Sequence, residues 1–535
     1  MKVFTEPLKG LAEFEDIRKT FYGKKGIVDL DGCIDSQKLH MIYGLGDGLK
    51  YKIIVTFNDK KARELYEDYK LYDKEVMLYP AKDLIFYQAD IRGNQITKER
   101  MSCVREILER DSLTLITTFD AFMEHVVSLD RIRNHVIYLD TGSVLKESVL
   151  AERLVNLGYE RVPQVESAGQ FSVRGGIIDI YMLTGENPCR VELWGDEIDS
   201  IRSFDVLSQR SVEKLESIAV YPATEMILTR EEKRQGIRRI EEDAENFERK
   251  LREQFKTEEA HRIKMIASQL IEELEEYGTK KNIEGFSPYF FEDRHSFLEY
   301  FTAESTGIFL DEPSRIAEKG LTVELEFRES MSQRLEKGYL LPGQLDIIYS
   351  TQEIFAKIQD FACISLSTIL QKQSLYKAKN KFSITARSIN SYNNSFEALL
   401  SDLKRYKRNQ FRVVLLSGSH TRAKRLTEDL RDNGLYAFFT EDMYHELSPG
   451  EIMVRYGRVL KCFEYPMIKF VVISETDIFG EVKKKKRKRK TYEGQKIQSF
   501  TDLSPGDYVV HENHGLGVYQ GIEHIEIDHV TKDYI

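Results

Sequence analysis

The chain has 535 residues, of which 41% are hydrophobic and 31% charged, and its formal net charge is −10. This length predicts three or four domains, and the negative charge excludes a uniformly basic nucleic-acid coat. Because no run approaches the ~20 apolar residues of a membrane span and the start lacks the apolar core of a signal peptide, we expect a soluble cytoplasmic protein without membrane contact.

Strands and helices alternate over the first 140 residues. Runs rich in Val and Ile are each followed by a helical pattern, which is typical of a parallel sheet with helical crossovers. We therefore predict a doubly wound α/β domain with strands at residues 52–56, 76–79, 113–117 and 135–139 and helices at 60–69 and 98–109.

A glycine-rich segment, GLGDGLKY at residues 44–51, stands before the first of these strands. A phosphate-binding P-loop has the pattern Gly-x4-Gly-Lys-Ser/Thr, in which the glycines admit the phosphates and the hydroxyl holds magnesium. Here Leu49 replaces the second glycine and Tyr51 replaces the hydroxyl residue, and the segment precedes a strand, whereas a P-loop follows one. We predict a degenerate nucleotide loop without ATPase activity, formed by Gly44, Gly46, Gly48 and Lys50.

An acidic pair, Asp311 and Glu312, follows the apolar run at residues 308–310. Such a pair can end the strand of a nucleotide site, but Pro313 comes next and the sequence holds no intact P-loop. We interpret the pair as structural and predict no catalytic residue in the chain.

The pattern changes near residue 148. A helix at 149–157 is followed by closely spaced β-type runs with tight turns, which predict a small α+β domain with an antiparallel sheet at residues 170–173, 176–182, 190–194 and 198–204. A capping box at Thr229 then opens a helical stretch over 229–277. A second α/β domain follows, with elements at 411–416, 422–432 and 470–473, then eight consecutive basic residues at 483–490 and a β-rich module from 506.

Two segments resemble known domains. QFSVRGGIIDIY at 170–181 and RVELWGDEIDSIR at 190–202 closely resemble the UvrA-binding domain shared by UvrB and the transcription-repair coupling factor. PGDYVVHENHGLGVYQG at 505–521 resembles the RNA polymerase-interacting domain of the coupling factor, which also occurs in CarD-type regulators and is absent from UvrB. The order of these segments is that of the coupling factor from its start, so the chain resembles the amino-terminal portion of this bacterial family.

The resemblance implies an α/β multidomain protein. A helicase-like parallel α/β domain with a degenerate nucleotide site would carry an inserted α+β UvrA-binding domain, followed by a second α/β domain and a partial β-barrel of Tudor or SH3 type. The expected boundaries are 1–125 and 216–345 for the two parts of the UvrB-like domain, 126–215 for the UvrA-binding domain, 346–480 for the second α/β domain, 481–499 for the basic linker and 500–535 for the truncated CarD-like domain.

The resemblance also implies residues that bind UvrA. Arg161 and Arg174 are the expected contacts, with Phe171 or Tyr181 as an apolar anchor, because arginine and aromatic residues dominate interface hot spots. The alternative is that Arg174 pairs with an internal acid such as Asp179, while Phe171 lies in the core. Ser172 stands where UvrB carries an arginine, so the surface is expected to be less basic here.

In the terminal module, Ile525 is expected to contact the β subunit of RNA polymerase, with His524 and Glu526 on the other face of the strand. A core isoleucine of a barrel is the alternative. Four histidines lie in the last 25 residues (His511, His514, His524 and His529), yet no cysteine accompanies them and the five cysteines are widely spaced, so we predict neither a metal site nor a disulfide framework.

The function implied is a scaffold that joins stalled RNA polymerase to UvrA of nucleotide-excision repair. The family's ATP- and magnesium-dependent DNA translocase is expected beyond residue 535, so this segment would need no cofactor. The run at 483–490 is expected to be a tether with some non-specific attraction to DNA. The alternatives are a UvrB-like helicase with its own nucleotide site and a CarD-like regulator fused to α/β domains.

Overall fold

The computed structural model describes residues 1–23, 25–82, 93–277, 283–369, 375–389, 391–392 and 395–475, together with the backbone of four strands between residues 508 and 534. The chain divides into two compact units, Met1–Gly480 and Glu481–Ile535. Strands and helices are numbered separately in chain order below.

Seven parallel strands form a sheet in the order β17-β1-β16-β15-β2-β4-β3. Their side chains alternate between two apolar clusters, as expected of a sheet buried on both faces. The strands are β1 (Gly26–Asp31), β2 (Tyr51–Thr56), β3 (Met77–Tyr79), β4 (Leu113–Thr118), β15 (Thr306–Asp311), β16 (Ala362–Ser367) and β17 (Asn380–Ser383). The helices of this region are α1 (Lys2–Leu8), α2 (Phe14–Gly23), α3 (Asp35–Leu45), α4 (Asp59–Tyr69), α5 (Gly93–Glu109), α6 (Phe119–Met123), α12 (Pro313–Glu336) and α13 (Thr351–Ile358).

The parallel architecture agrees with the sequence prediction, but one predicted strand lies elsewhere. The strand expected at 135–139 is β6 (Ile137–Asp140), which pairs antiparallel with β13 (Ser217–Val220) outside the parallel sheet. Buried and exposed residues alternate along β6, which suits a strand with one solvated face. In addition, β16 and β17 fall within the range 346–480 expected for the second α/β domain, yet they pair with β1 and β15.

Six strands form a second sheet in the order β12-β11-β10-β9-β8-β7, antiparallel except for the β7–β8 pair. One face packs against α8 (Glu147–Asn156) through a core that includes Leu150 and Phe171. The strands are β7 (Glu160–Arg161), β8 (Gln170–Arg174), β9 (Ile177–Tyr181), β10 (Cys189–Trp194), β11 (Glu197–Phe204) and β12 (Ser211–Leu215). The connecting region holds β5 (His125–Val126), paired with β14 (His295–Ser296), and α7 (Leu129–His135).

Two long helices follow, α9 (Arg230–Glu253) and α10 (Thr257–Tyr277). The capping box predicted at Thr229 is present, with Glu232 as its second member. The helical stretch predicted over 229–277 is interrupted at Phe255, whose φ is 62°. There the Phe255 amide donates to the Arg252 carbonyl oxygen and closes α9. A short helix, α11 (Ser287–Phe290), and three 3₁₀ turns complete this part, at Ile283–Phe286, Phe297–Tyr300 and Pro342–Leu345.

A third, mixed sheet has the order β18-β22-β23-β19-β21-β20. One face packs against α14 (Phe396–Arg408) and α15 (His420–Asp432); the other shares an apolar cluster with α3. Here the buried His40 ring lies between the Phe4 carbonyl oxygen, at 2.7 Å, and the Tyr465 hydroxyl, at 3.0 Å. The strands are β18 (Arg387–Ser388), β19 (Arg412–Ser417), β20 (Ala437–Phe439), β21 (Ile452–Tyr456), β22 (Phe463–Tyr465) and β23 (Phe470–Ser474).

In the second unit the described backbone forms two antiparallel pairs, β24 (Tyr508–His511) with β25 (Gly515–Val518) and β26 (Glu523–Ile527) with β27 (Val530–Tyr534). The predicted tether at 483–490 lies outside the described residues. The barrel form of this module stays a prediction.

Candidate functional site

The outer face of the six-stranded sheet carries a row of polar side chains. Residues paired across neighbouring strands lie side by side on one face of a sheet. The register sets Asp179 on β9 between Ser172 on β8 and Arg190 on β10, and Arg202 follows on β11. Residues that alternate with them along the strands, such as Ile180, lie in the core. The polar row therefore lies on the face away from α8.

Asp179 is the centre of this outer face. Its carboxylate is 1% exposed and accepts one hydrogen bond from Arg174, at 2.6 Å, and two from Arg190, at 2.7 and 2.9 Å. The Arg190 guanidinium also lies over the Phe204 ring, 4.5 Å from its centroid. Hydrogen bonding to Asp179 raises the pKa of Arg190. The carboxylate thus fixes two guanidinium groups in place.

Arg174 stays available on this face although it is paired. Its side chain is 47% exposed, and only one of its nitrogen atoms donates to Asp179 among the described residues. A guanidinium group has five N–H donors, so the remaining ones can serve a partner. The pairing with Asp179 that the sequence left as an alternative is therefore present, and it leaves Arg174 at the surface.

The other predicted UvrA contacts are divided between surface and core. Arg161 is exposed on β7, at the edge of the sheet. Tyr181 is half-buried on the outer face, and its hydroxyl donates to the Glu186 carbonyl oxygen at 3.0 Å. Phe171 is 0% exposed in the core against α8. The expectation of Phe171 as a surface anchor is thus corrected, because its side chain points to the opposite face from Arg174.

A second polar cluster lies at the carboxyl edge of the seven-stranded sheet, where ligands of open α/β sheets usually bind. The chain leaves β1, turns at Asp35 with a φ of 31° and enters α3. This brings Lys38 to the end of β15, where its Nζ lies 2.7 Å from Asp311 and 2.6 Å from Glu312. Thr56, which ends β2, donates to the second oxygen of Asp311 at 2.9 Å.

This edge cluster satisfies its own charges. Lys38 is 6% exposed and Asp311 2%. Burial alone would lower the pKa of Lys38, but the two carboxylates outweigh burial and raise that pKa. Burial likewise opposes ionisation of Glu312, yet Lys38 and hydrogen bonds from Thr368 lower the pKa of that carboxyl. A phosphate would have to displace two carboxylates to reach the ammonium group.

The glycine-rich segment at 44–51 lies apart from this edge cluster. It comprises the end of α3 and the turn into β2, and includes Gly44, Gly46, Gly48 and Lys50. Lys50 is 44% exposed and lies 3.9 Å from Asp111. The segment leads from a helix into a strand, as the sequence indicated, whereas a P-loop leads from a strand into a helix; the assignment of a degenerate nucleotide loop to it stays a prediction. The strand-to-helix turn is the one that precedes Lys38, a residue absent from the sequence-based predictions.

The predicted polymerase contacts lie on one strand. His524, Ile525 and Glu526 are consecutive in β26, and Ile525 pairs with Lys532 on β27. Only the backbone of these residues is described, so their orientation stays a prediction. The side chains of the terminal histidines are likewise outside the described part of the chain.

Two further searches cover only the described residues. No group of three or more His, Cys, Asp or Glu side chains there has an arrangement that could hold a metal ion. No helix among them is both long and apolar enough to cross a membrane.

Two family models match the chain. The model of the UvrB interaction domain matches residues 137–226, which contain the whole six-stranded sheet. The model of the CarD-like/TRCF RID domain matches residues 503–535, which contain β24 to β27.

Several curated proteins are similar along most of the chain, each named transcription-repair-coupling factor. The protein of Bacillus subtilis (strain 168) is 33% identical over 485 residues, which are 90% of this chain and 41% of the relative. Those of Staphylococcus epidermidis (RP62A) and Staphylococcus aureus (RF122) are 27% and 26% identical, over 91% and 100% of this chain and 41% and 45% of their own lengths. The chain thus spans less than half the length of these relatives, and the family resemblance found in the sequence is confirmed.

Proposed function

Because the chain belongs to the family of transcription-repair-coupling factors, we propose that it acts as a scaffold of transcription-coupled DNA repair. It binds stalled RNA polymerase through residues 503–535 and recruits UvrA through the UvrB interaction domain. The proposal assigns the UvrA contact to Arg174 and Tyr181 on the outer sheet face and to Arg161, which is exposed on the edge strand β7 and leaves it on the side of Phe171.

The observation that carries this proposal is the arginine arrangement around Asp179. A buried carboxylate holds two guanidinium groups in fixed positions, and one of them keeps 47% of its surface exposed. Pre-organised arginine loses less side-chain entropy on binding than a mobile one, and its planar fork matches carboxylates on a partner. The surface is therefore suited to an acidic patch on UvrA.

The polymerase contact is proposed on the match at 503–535 and on the position of Ile525 in β26. When a strand binds a partner, apolar side chains that alternate along it can fill pockets on that partner. Ile525→Arg in a complete coupling factor should abolish capture of RNA polymerase, because it places a charge in an apolar contact. Undiminished capture would contradict this assignment.

The family's ATP-driven DNA translocase is assigned to the part of the relatives that this chain does not span, so the chain itself is proposed to hydrolyse no ATP. Contact with DNA through the basic run at 483–490 is a further part of the proposal. The second candidate, a UvrB-like helicase with its own nucleotide site, is disfavoured by the commitment of Lys38 to two carboxylates. Saturable ATP binding by residues 1–480 would favour that candidate.

The UvrA assignment is tested by charge reversal at Arg174 on the outer face and at Arg161 on the adjoining edge strand, together called the outer-face variant. Arg161→Glu together with Arg174→Glu should abolish capture of purified UvrA, because acidic groups would then meet the acidic patch. The matched control reverses two exposed arginines of α9, Arg234→Glu with Arg238→Glu, which changes the net charge equally. The control should capture UvrA normally and keep the parent melting temperature. The outer-face variant should lose about 1–2 kcal/mol of stability, because Arg174→Glu sets a carboxylate beside Asp179, and calorimetric melting checks that it is still folded at the temperature of the capture assay. Normal capture by the outer-face variant would remove the assignment.

A further inference from the structure

We infer that Trp194 is the apolar anchor of the UvrA-binding face and inserts into an apolar pocket on the partner, with carboxylates on the side of that pocket that meets the arginines. This inference rests on the proposed function and deepens it, since it extends the contact beyond the arginines to the end of the sheet.

Trp194 is the only tryptophan in the chain, and it is 83% exposed. It ends β10, two residues after Glu192 and four after Arg190, so alternation along the strand places it on the outer face. The irregularity in the β10–β11 pair does not change this, because the extra residue lies on β11. Trp194 therefore shares a sheet face with the arginines.

The register also sets the distance from Trp194 to Arg174. Arg174 pairs with Ile177, which pairs with Glu192 on β10. Strand spacing and rise then separate the Arg174 and Trp194 backbones by roughly 12 Å, two strands across and two residues along. One protein partner can cover both side chains, because a standard interface buries about 800 Å² on each side.

A second exposed apolar residue lies beside Trp194. Glu197 pairs with Trp194 on one side and forms an isolated bridge with Val144 on the other, so the three side chains lie in one row. Val144 is 76% exposed. The outer face thus ends in an apolar pair around a carboxylate, next to a region dominated by arginine.

This composition indicates the chemistry of the partner. Tryptophan and arginine are among the residues most enriched in interface hot spots, where they lose contact with water on binding. The aromatic side chain usually fills a pocket on the partner, and charged groups lie around that pocket. Continuity with the arginine face identifies the occupant as the same protein that the arginines bind. Glu197 beside the indole favours a basic or N–H donor group on that partner near the pocket.

The experiment uses the whole chain with its single tryptophan replaced biosynthetically by 7-azatryptophan, whose emission separates from that of ordinary tryptophan in the partner. On titration with purified UvrA, the emission should shift to the blue and iodide quenching should fall, because the ring leaves water. Trp194→Ala should weaken UvrA binding about tenfold or more, whereas Trp194→Phe should retain most of the affinity. The matched control is Leu207→Ala, which removes a 94% exposed side chain from the β11–β12 turn at the opposite end of the sheet, and it should bind normally.

The outcomes separate this inference from the function on which it rests. If UvrA binds in a manner that requires Arg174 but Trp194→Ala keeps full affinity, or iodide quenching is unchanged, the anchor is overturned while the scaffold function stands. If the unsubstituted chain does not capture UvrA, the proposed function fails and the anchor fails with it. Because Trp194 is exposed, the melting temperature of Trp194→Ala should equal that of the parent, so lost binding would not reflect unfolding.

Discussion

The outer sheet face and the sheet-edge cluster use the same chemistry with opposite consequences. In both, a carboxylate that is at most 2% exposed binds a basic side chain. On the outer face Asp179 holds Arg174, which stays 47% exposed. At the edge Asp311 and Glu312 hold Lys38, which is 6% exposed. The first arrangement presents a cation to solvent, and the second encloses one.

The number of donors explains the difference. A guanidinium group has five N–H donors in a planar fork, whereas an ammonium group has three. Asp179 therefore leaves most of the Arg174 donors unused, while two carboxylates and the surrounding helix and strand ends enclose Lys38. The presence of an ion pair therefore does not show whether its cation can contact a partner. The exposure of the cation decides that.

The largest effect is expected from opening the edge cluster. Lys38→Met leaves the buried Asp311 and the half-buried Glu312 without their cation, and the free energy of unfolding should fall by about 3–5 kcal/mol. The control is Lys50→Met, which removes a 44% exposed ammonium group 3.9 Å from Asp111 and should change stability by no more than about 0.5 kcal/mol. Urea denaturation followed by circular dichroism measures both. A loss below about 1 kcal/mol in Lys38→Met would show that the edge is not enclosed as described.

The next effect is expected on the other side of α3, where the buried polar group is the neutral imidazole of His40. Burial lowers the pKa of His40 to about 4. The unfolded chain, with a pKa near 6.5, therefore takes up the proton first, so His40 destabilises the fold as pH falls from about 6.5 to 4, by roughly 3 kcal/mol in total. Asp68 acts in the opposite direction, because burial raises its pKa to about 6.

The His40 contribution is isolated by comparing variants across pH 7.5 to 5. His40→Asn should flatten the fall in unfolding free energy by about 2 kcal/mol between pH 6.5 and 5. The control is His420→Asn, at an exposed ring that stacks on Tyr456 with 4.5 Å between centroids and lies 2.8 Å from a Glu441 oxygen; it shows the effect of removing a surface histidine, and only His40→Asn should flatten the fall by about 2 kcal/mol. Identical slopes for all three proteins would contradict a buried neutral imidazole.

A smaller loss is expected on the outer face, because its cations can return to water. Asp179→Asn removes the charge that holds Arg174 and Arg190, and the free energy of unfolding should fall by about 1–2 kcal/mol, less than at the edge. UvrA capture should weaken about tenfold as the guanidinium groups lose their fixed positions. Calorimetric melting and titration with UvrA measure the two effects. A stability loss as large as that of Lys38→Met would break the distinction between the two regions.

Local sequence patterns predicted where strands and helices lie better than they predicted which strands pair. Val- and Ile-rich runs predicted β2 and β4, which do pair in parallel. In contrast, β15 pairs with β2 across about 250 residues of chain, and no local pattern reports such a contact. Lys38 was missed for this reason, since its carboxylates come from β15 and the residue that follows it. The break at Phe255 was also missed, because neither Gly nor Pro marks the turn.

The candidate contacts on β8 could have been separated by alternation alone. Phe171 and Arg174 are three residues apart, so their side chains leave opposite faces of the strand. The presence of an arginine on the solvated face then places the phenylalanine in the core, as observed at 0% exposure. Alternation also places Asp179 on the same face as Arg174, so their ion pair could be predicted from the sequence. The 47% exposure of Arg174 could not, because it depends on the three-dimensional structure.

The smallest effect is expected at Ser172, beside Asp179 in the polar row. Its hydroxyl is buried and has no hydrogen-bond partner among the described residues. Burying an unsatisfied hydroxyl costs free energy, so Ser172→Ala should leave stability unchanged or raise it by about 1 kcal/mol. The control is Ser200→Ala, whose parent hydroxyl donates to Glu192 at 2.7 Å and whose loss should cost about 0.5–1 kcal/mol. Both should capture UvrA normally, since neither removes a guanidinium group. If Ser172→Ala were less stable than the parent, the Ser172 hydroxyl would have a hydrogen-bond partner. The polar row would then contain a hydrogen bond in addition to those that Asp179 accepts.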